Sequence, residues 1–250
     1  MRRFEKILIF RFYRSNRFIT INNNKFCFVF DFDKTLTSYD SVGTLEIYNQ
    51  IFNEKDLKTR NKIIYFEKKI LSFNVNDKLK IPFLNIIWRK KINLIYKHQK
   101  MFQKLDLSKI KLRSGVLELV SFCQNNNIPF VINSAGSKSI IYKIFRKNKL
   151  DTKNFKIYAN EIVKNIPNDE IINTLTKKSN KDFNKFINEF DLIYLFGDME
   201  EDLKTVNINK NIISYLLNDS KQSNFTKVVG KEYDFNFFLK EVIEIFNNKL

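Results

Sequence analysis

Sulfur, imidazole and turn-forming residues are scarce in this chain. Two cysteines, Cys27 and Cys123, cannot build a disulfide or zinc framework, and both sit in apolar stretches, so they read as small buried hydrophobes. The single histidine, His98, has no second imidazole or nearby thiol to share a metal with, and it reads as a residue of a solvated helix face. With five glycines and three prolines there is no stretch that resembles a flexible linker, and no internal repeat. No apolar run reaches the roughly 18 residues of a membrane-spanning helix, and no membrane is expected as a partner.

Negative charge is also in deficit. The chain of 250 residues has 44 Lys and Arg against 27 Asp and Glu, a net charge of +17. Such an excess invites nucleic acid or an anionic substrate as partner. The lysines, however, are spread along the whole chain among Asn, Ile and Phe, as an AT-rich coding sequence would place them. No compact arginine patch or nucleic-acid motif accompanies them, so nucleic acid is not expected, while a phosphate substrate would still gain from the field. The hydrophobic share of 44% is enough for a full core.

Against this background the stretch Phe26-Cys27-Phe28-Val29-Phe30-Asp31-Phe32-Asp33-Lys34-Thr35-Leu36-Thr37 stands out. An unbroken apolar run without alternation suits a strand buried on both faces, in the middle of a parallel sheet. Asp31 and Asp33 fall at its carboxyl end, where open α/β sheets bind their ligands. Two carboxylates one residue apart repel unless a cation or a shared proton intervenes, which points to a divalent metal. The alternative at this point is that they end a strand and cap the next element.

Residues 1–24, with five arginines and one acid, form a basic arm that is either an organellar presequence or an extra element packed on the core. Residues 38–113 change to helical periodicity, with Pro82 expected in the first turn of a helix. This segment reads as an all-helical insertion of the size of a lid, leaving 25–37 and 114–250 as the core. Within the insertion Trp88, Tyr65, Tyr96 and Glu67 are candidates to touch a substrate.

Beyond Ser114, helix and strand alternate again. Ile128-Pro129-Phe130-Val131-Ile132 reads as a strand ending in Asn133-Ser134-Ala135-Gly136. Small residues there permit close backbone approach, and the hydroxyl of Ser134 with the amides opening a helix near Ser137 suits an anion. A helix over Ile140 to Asn148 and a strand over Phe155 to Ala159 lead to Thr174-Leu175-Thr176-Lys177-Lys178. A second apolar run, Leu192 to Phe196, ends in Gly197-Asp198-Met199-Glu200-Glu201-Asp202, where a glycine lets the chain turn and two acids spaced by four can share a face. A last strand over Ile212 to Leu217 and a helix over Phe235 to Phe246 complete a three-layer α/β architecture.

Acid pair, hydroxyl, lysine, acid pair is the set of groups that phosphoryl transfer requires. In that order the chain resembles the haloacid dehalogenase (HAD) superfamily of phosphatases with a helical cap, a Rossmann-like parallel sheet. It is most similar to the cytosolic pyrimidine 5'-nucleotidase type III family, on the Asp31 motif, the Trp88 segment, Ile128 to Gly136, Ile172 to Lys177, Phe196 to Leu203, and Ile212 to Asp219. The resemblance implies a Mg²⁺-dependent, cytoplasmic phosphomonoesterase acting on nucleoside 5'-monophosphates. It makes Asp31 the nucleophile, Asp33 the acid and base, and Ser134, Ala135 and Lys177 the phosphate ligands. It assigns Mg²⁺ to Asp31, Asp33, Asp198 and Asp202, Asp33 through a carbonyl near it. Glu67 is the candidate base reader. Lys178 is an alternative to Lys177, and phosphoserine or a sugar phosphate is the alternative substrate class. A non-catalytic RNA-binding relative is the third reading, against which the intact acid pairs stand.

Overall fold

The structure is a computed structural model that describes residues 20–21, 24–152, 155–173, 175–177, 180–206, 211–219 and 223–247. The basic arm falls outside the described residues apart from 20, 21 and 24, as do Thr174 and Lys178. The apolar run at Phe26 belongs to strand β2 (Asn24–Phe30), preceded by the short antiparallel β1 (Thr20–Ile21). The parallel sheet continues with β3 (Phe130–Ser137), β4 (Phe155–Asn160), β5 (Leu192–Gly197), β6 (Asn211–Leu216) and β7 (Lys227–Val228), in the spatial order β4-β3-β2-β5-β6-β7. β2 lies in the centre, parallel to β3 on one side and β5 on the other, so the chain changes direction of winding at the strand that delivers Asp31.

Both faces of the sheet are covered, which explains why the strands read as continuous apolar runs. One face is aromatic. Phe30 stacks on Phe130 at 4.6 Å and on Phe196 at 4.9 Å, and Phe196 stacks on Tyr215 at 4.4 Å, so one ladder of rings crosses four strands. The helices α3 (Val116–Asn125), α4 (Lys138–Lys147) and α7 (Phe235–Asn247) bring Val120, Cys123, Ile144 and Phe238 into the same core. The opposite face, with Cys27, Val29, Val131, Ile193 and Leu195, packs on Phe183 and Ile187 of α5 (Lys181–Ile187). Both cysteines are buried, and burial pushes the Cys123 thiol well above its ordinary value, as a core hydrophobe requires.

Between β2 and α3 the chain is helical. A 3₁₀ turn (Ile47–Ile51) leads to α1 (Glu54–Leu71) and α2 (Asp77–Tyr96), capped by Asn53 and Asn76 through bonds to the amides of Asp56 and Lys78. α2 starts at the cap Asn76 rather than beyond Pro82, which therefore lies inside the helix and not in its first turn. A 3₁₀ segment (Gln99–Lys104), which includes Phe102, follows this helix. His98 is no solvated residue: its Nε2 is 3.0 Å from Asp56 Oδ2, both side chains are mostly buried, and the ring lies against Phe52. The short α6 (Glu200–Leu203) follows β5. The strand at Phe130 runs on to Ser137, with an irregularity in its pairing to β4 between Asn133 and Ser137, so Ser134 and Ala135 lie in the strand, and α4 opens at Lys138, beside the helix start expected near Ser137.

Replacing Phe30 by Ala removes a middle ring of the ladder. The expected cost is about 3–5 kcal/mol of unfolding free energy in urea titration; a loss below about 1 kcal/mol would show that the rings are not mutually supporting.

Candidate active site

The carboxyl ends of β2 and β5 converge on one buried cation. Lys177, from a turn after β4, places its Nζ 2.7 Å from Asp31 Oδ1 and 2.7 Å from Asp202 Oδ1. All three side chains are almost fully buried. Burial alone would lower the Lys177 ammonium, but Asp202 and Asp31 override it and hold it above its ordinary value. Asp198 completes the group: one carboxylate oxygen each from Asp31, Asp198 and Asp202 lies within 4.8 Å of the others.

One ammonium does not balance three carboxylates. Burial outweighs Lys177 and, with Asp202 and Asp198 close by, pushes the Asp31 carboxyl up to about 8; burial and Asp202 push Asp198 up to about 7. A divalent cation with a preference for hard oxygen ligands fits this donor set and would remove the excess charge.

Asp33 is held apart from the cluster. Its Oδ1 accepts from the Thr44 amide at 2.9 Å and its Oδ2 from the Thr44 hydroxyl at 2.8 Å. Burial raises its pKa, opposed by the two bonds from Thr44. The same hydroxyl accepts from the Ser137 amide at 3.0 Å, tying Asp33 to the tip of β3. Ser134, also buried, accepts the Gly136 amide at 3.1 Å through its Oγ, and the Ala135 carbonyl accepts from the Asn160 amide group at 2.7 Å. Asn160 further bonds both backbone groups of Ile172, and Asn173 then caps the turn of Leu175 and Thr176 that presents Lys177.

Two glycines are required by space rather than by a turn. A Cβ on Gly136 would stand 2.1 Å from Thr44 Oγ1 and 3.2 Å from Asp33 Oδ2; one on Gly197 would stand 2.4 Å from the Asp202 Cβ. Gly197 thus admits the aspartate that holds Lys177. Asp202 sits in α6 and accepts the Met199 amide through its second oxygen, while Asp198 precedes that helix, so the two acids do not share its first turn.

Of the residues singled out in the sequence, Asp31, Lys177, Asp198 and Asp202 come together, with Asp33 and Ser134 around them. Glu67 does not join this cluster. It pairs with Lys91 of α2 at 3.6 Å and is only 14% exposed, and Lys91 lies over the Trp88 ring at 4.3 Å. Trp88 is buried against the core, whereas Tyr65 is 61% exposed. Arg60, two helical turns before Glu67 on the same stripe of α1, reaches Glu46 at 4.0 Å, and Glu46 flanks Gly43 opposite Asp33. Thr44, Asn160 and Arg113 were invisible to sequence reasoning. The buried guanidinium of Arg113 donates to the carbonyls of Thr35, Lys34 and Lys231, pinning the loop after Asp33, where Lys34 adopts a left-handed φ of 62°. No local signal marks any of the three.

A model of the pyrimidine 5'-nucleotidase (UMPH-1) family matches residues 25–248. No curated protein matches the sequence. Among solved structures the fold is similar to that of a cytosolic 5'-nucleotidase IIIB bound to cytidine, with a TM-score of 0.71 and 17% identity over 91% of this chain and 88% of that one. A substrate-bound phosphoserine phosphatase gives 0.53 and 19% over 86% and 97%. A HAD-family hydrolase from Salmonella enterica serovar Typhi gives 0.52 and 13% over 86% and 70%.

Gly136→Ala forces Thr44 away from Asp33. The expected loss is about 1–3 kcal/mol in urea titration, and unchanged stability would mean that Thr44 is not fixed where its bonds place it.

Proposed function

The chain belongs to the pyrimidine 5'-nucleotidase (UMPH-1) family, hydrolases of phosphoric monoesters, and from that premise we propose that it cleaves nucleoside 5'-monophosphates through an aspartyl-phosphate on Asp31, with Mg²⁺ as cofactor. The observation that carries this reading is the clamp of Lys177 between Asp31 and Asp202 with Asp198 alongside, assembled from separate strand ends. Family membership and the cytidine in the related structure support a nucleotide as substrate.

In the proposed reaction a carboxylate oxygen of Asp31 attacks phosphorus and the ester P–O bond breaks. The departing oxygen takes its proton from Asp33, whose carboxyl Thr44 holds in place. Asp33 then removes a proton from water, which attacks the phosphorus, releases inorganic phosphate and returns Asp31. Lys177 and Ser134, with the Ala135 backbone, hold the remaining phosphate oxygens. Asp31 and Asp198 would hold the Mg²⁺ with their carboxylates and Asp33 with a carbonyl near it, Asp202 supporting them. When bound, the ion cancels the repulsion between the phosphate and these acids.

Asp31→Asn keeps the shape and removes the nucleophile, so phosphate release should fall by more than about a thousandfold while a cooperative melting transition shows that the variant still folds. A panel of cytidine, uridine and adenosine monophosphates, ribose 5-phosphate and phosphoserine tests the substrate class; turnover of the last two without any nucleotide would sink the nucleotide reading.

For Glu67 we propose a hydrogen bond to the base, with Lys91 beside the acid at 3.6 Å. Glu67→Gln is expected to change kcat/KM ratios among the three nucleotides by about tenfold to a hundredfold and to leave ribose 5-phosphate unaffected. Equal losses across the three would remove this residue from recognition.

A further inference from the structure

The α1–α2 hairpin has an outer surface that the proposed reaction does not use. From Glu54 to Tyr96 it contains nine lysines and two arginines against four acids. The two acids nearest its tip are paired with lysines, Glu67 with Lys91 and Asp77 with Lys80 and Lys204. Lys62, Lys68, Lys69, Lys78 and Lys90 are exposed. Among them Tyr65, Phe66, Phe73, Val75, Leu79 and Phe83 are 48 to 64% exposed, all within about two helical turns of the connection between the helices. Exposed large apolar side chains elsewhere among the described residues, such as Tyr39, Val163, Val228 and Phe237, are separated along the chain.

Leaving so much apolar area in water is costly, and a concentrated patch of it marks a contact surface. Behind the tip an open groove of about 400 Å³ runs between the helices, with Ile63, Phe66, Ile87 and Leu94 along it, three lysines (Lys62, Lys90 and Lys97) and no acid. Charge selects the occupant. A second copy would set lysines against lysines, and the arginine-rich residues 1–24 carry the same sign. The partner is therefore anionic. An acidic peptide would satisfy the groove, but Phe73, Val75, Leu79 and Phe83 lie around the end of the hairpin beyond it, which suits a broad surface met end-on.

We propose that the hairpin docks tip first on an anionic lipid surface, with Phe73, Leu79 and Phe83 entering the headgroup boundary and the surrounding lysines meeting lipid phosphates and carboxylates. Such docking departs from the expectation that no membrane is a partner. Docking at a surface does not need a spanning helix, and no helix among the described residues is long and apolar enough to be one.

The test is sedimentation of the full chain with vesicles of phosphatidylcholine containing about one-third phosphatidylserine, and with pure phosphatidylcholine vesicles, at about 0.15 M salt. The wild type is expected to partition onto the mixed vesicles and not onto the neutral ones. Leu79→Ser with Phe83→Ser, and separately Lys68→Gln with Lys69→Gln, should weaken partitioning by about tenfold or more, with melting curves unchanged. Absence of binding to the mixed vesicles overturns the proposal. So does equal binding by wild type and both variants, which would assign attachment to charge elsewhere in the chain. Binding of an acidic amphipathic peptide, lost in the apolar variant, with no vesicle binding would replace the lipid by a protein partner.

Discussion

The ammonium of Lys177 is what allows this site to exist. Three aspartates share a water-poor edge of the sheet, where charge repulsion is far stronger than in solvent, and Lys177 bonds two of them at 2.7 Å. Its own burial is paid for by those two bonds. Breaking a buried pair of this kind leaves an uncompensated charge at a cost of about 3–5 kcal/mol, so each member holds the others in the interior. Lys177 does not relieve the mutual repulsion of all three acids, whose crowding with burial pushes Asp31 and Asp198 up, and a divalent cation would relieve the rest.

Everything around the triad serves to place it. The aromatic ladder through Phe30 and Phe196 carries a rigid, dry core up to the residues just before Asp31 and Gly197. Beyond that edge the backbone is no longer in ladders, and polar side chains take over. Asn160 joins the end of β4 to the turn of Lys177, Thr44 joins Asp33 to the tip of β3, and Arg113 gathers three carbonyls behind the Asp31 loop. A buried hydrogen-bonded network of this kind specifies geometry, because each unpaired member would bear a desolvation penalty.

The strands and the order of the acidic, hydroxyl and basic segments were legible because each is a local pattern: an apolar run, then a polar tip. The braces were not, because Thr44, Asn160 and Arg113 act on residues far along the chain, and nothing near them in sequence differs from an ordinary turn, strand end or surface cation. His98 was misplaced for the same reason, its partner Asp56 lying 42 residues away. Pro82 misled locally: a signal for a helix start lost to the cap at Asn76, which begins the helix six residues earlier. The short β7 has too few residues to produce a period. Gly197 was noticed, but as a turn; its actual role, making room for Asp202, needs three-dimensional knowledge.

The hairpin divides its labour by face. Its outer side presents lysines and apolar rings to solvent, whereas its inner side packs Trp88, Ile92 and Ile95 into the core and joins it by a buried amide bond, Asn85 of α2 accepting from Asn173 at 2.9 Å. Asn173 is also the residue that caps the turn presenting Lys177. Displacement of α2 from the sheet must therefore either break a buried amide bond or pull on the segment that fixes the ammonium between Asp31 and Asp202. Breaking it leaves two buried amide groups short of a partner, at roughly 1–3 kcal/mol for each group left unpaired. The position of α2 and the placement of Lys177 are thus joined through the Asn85–Asn173 pair.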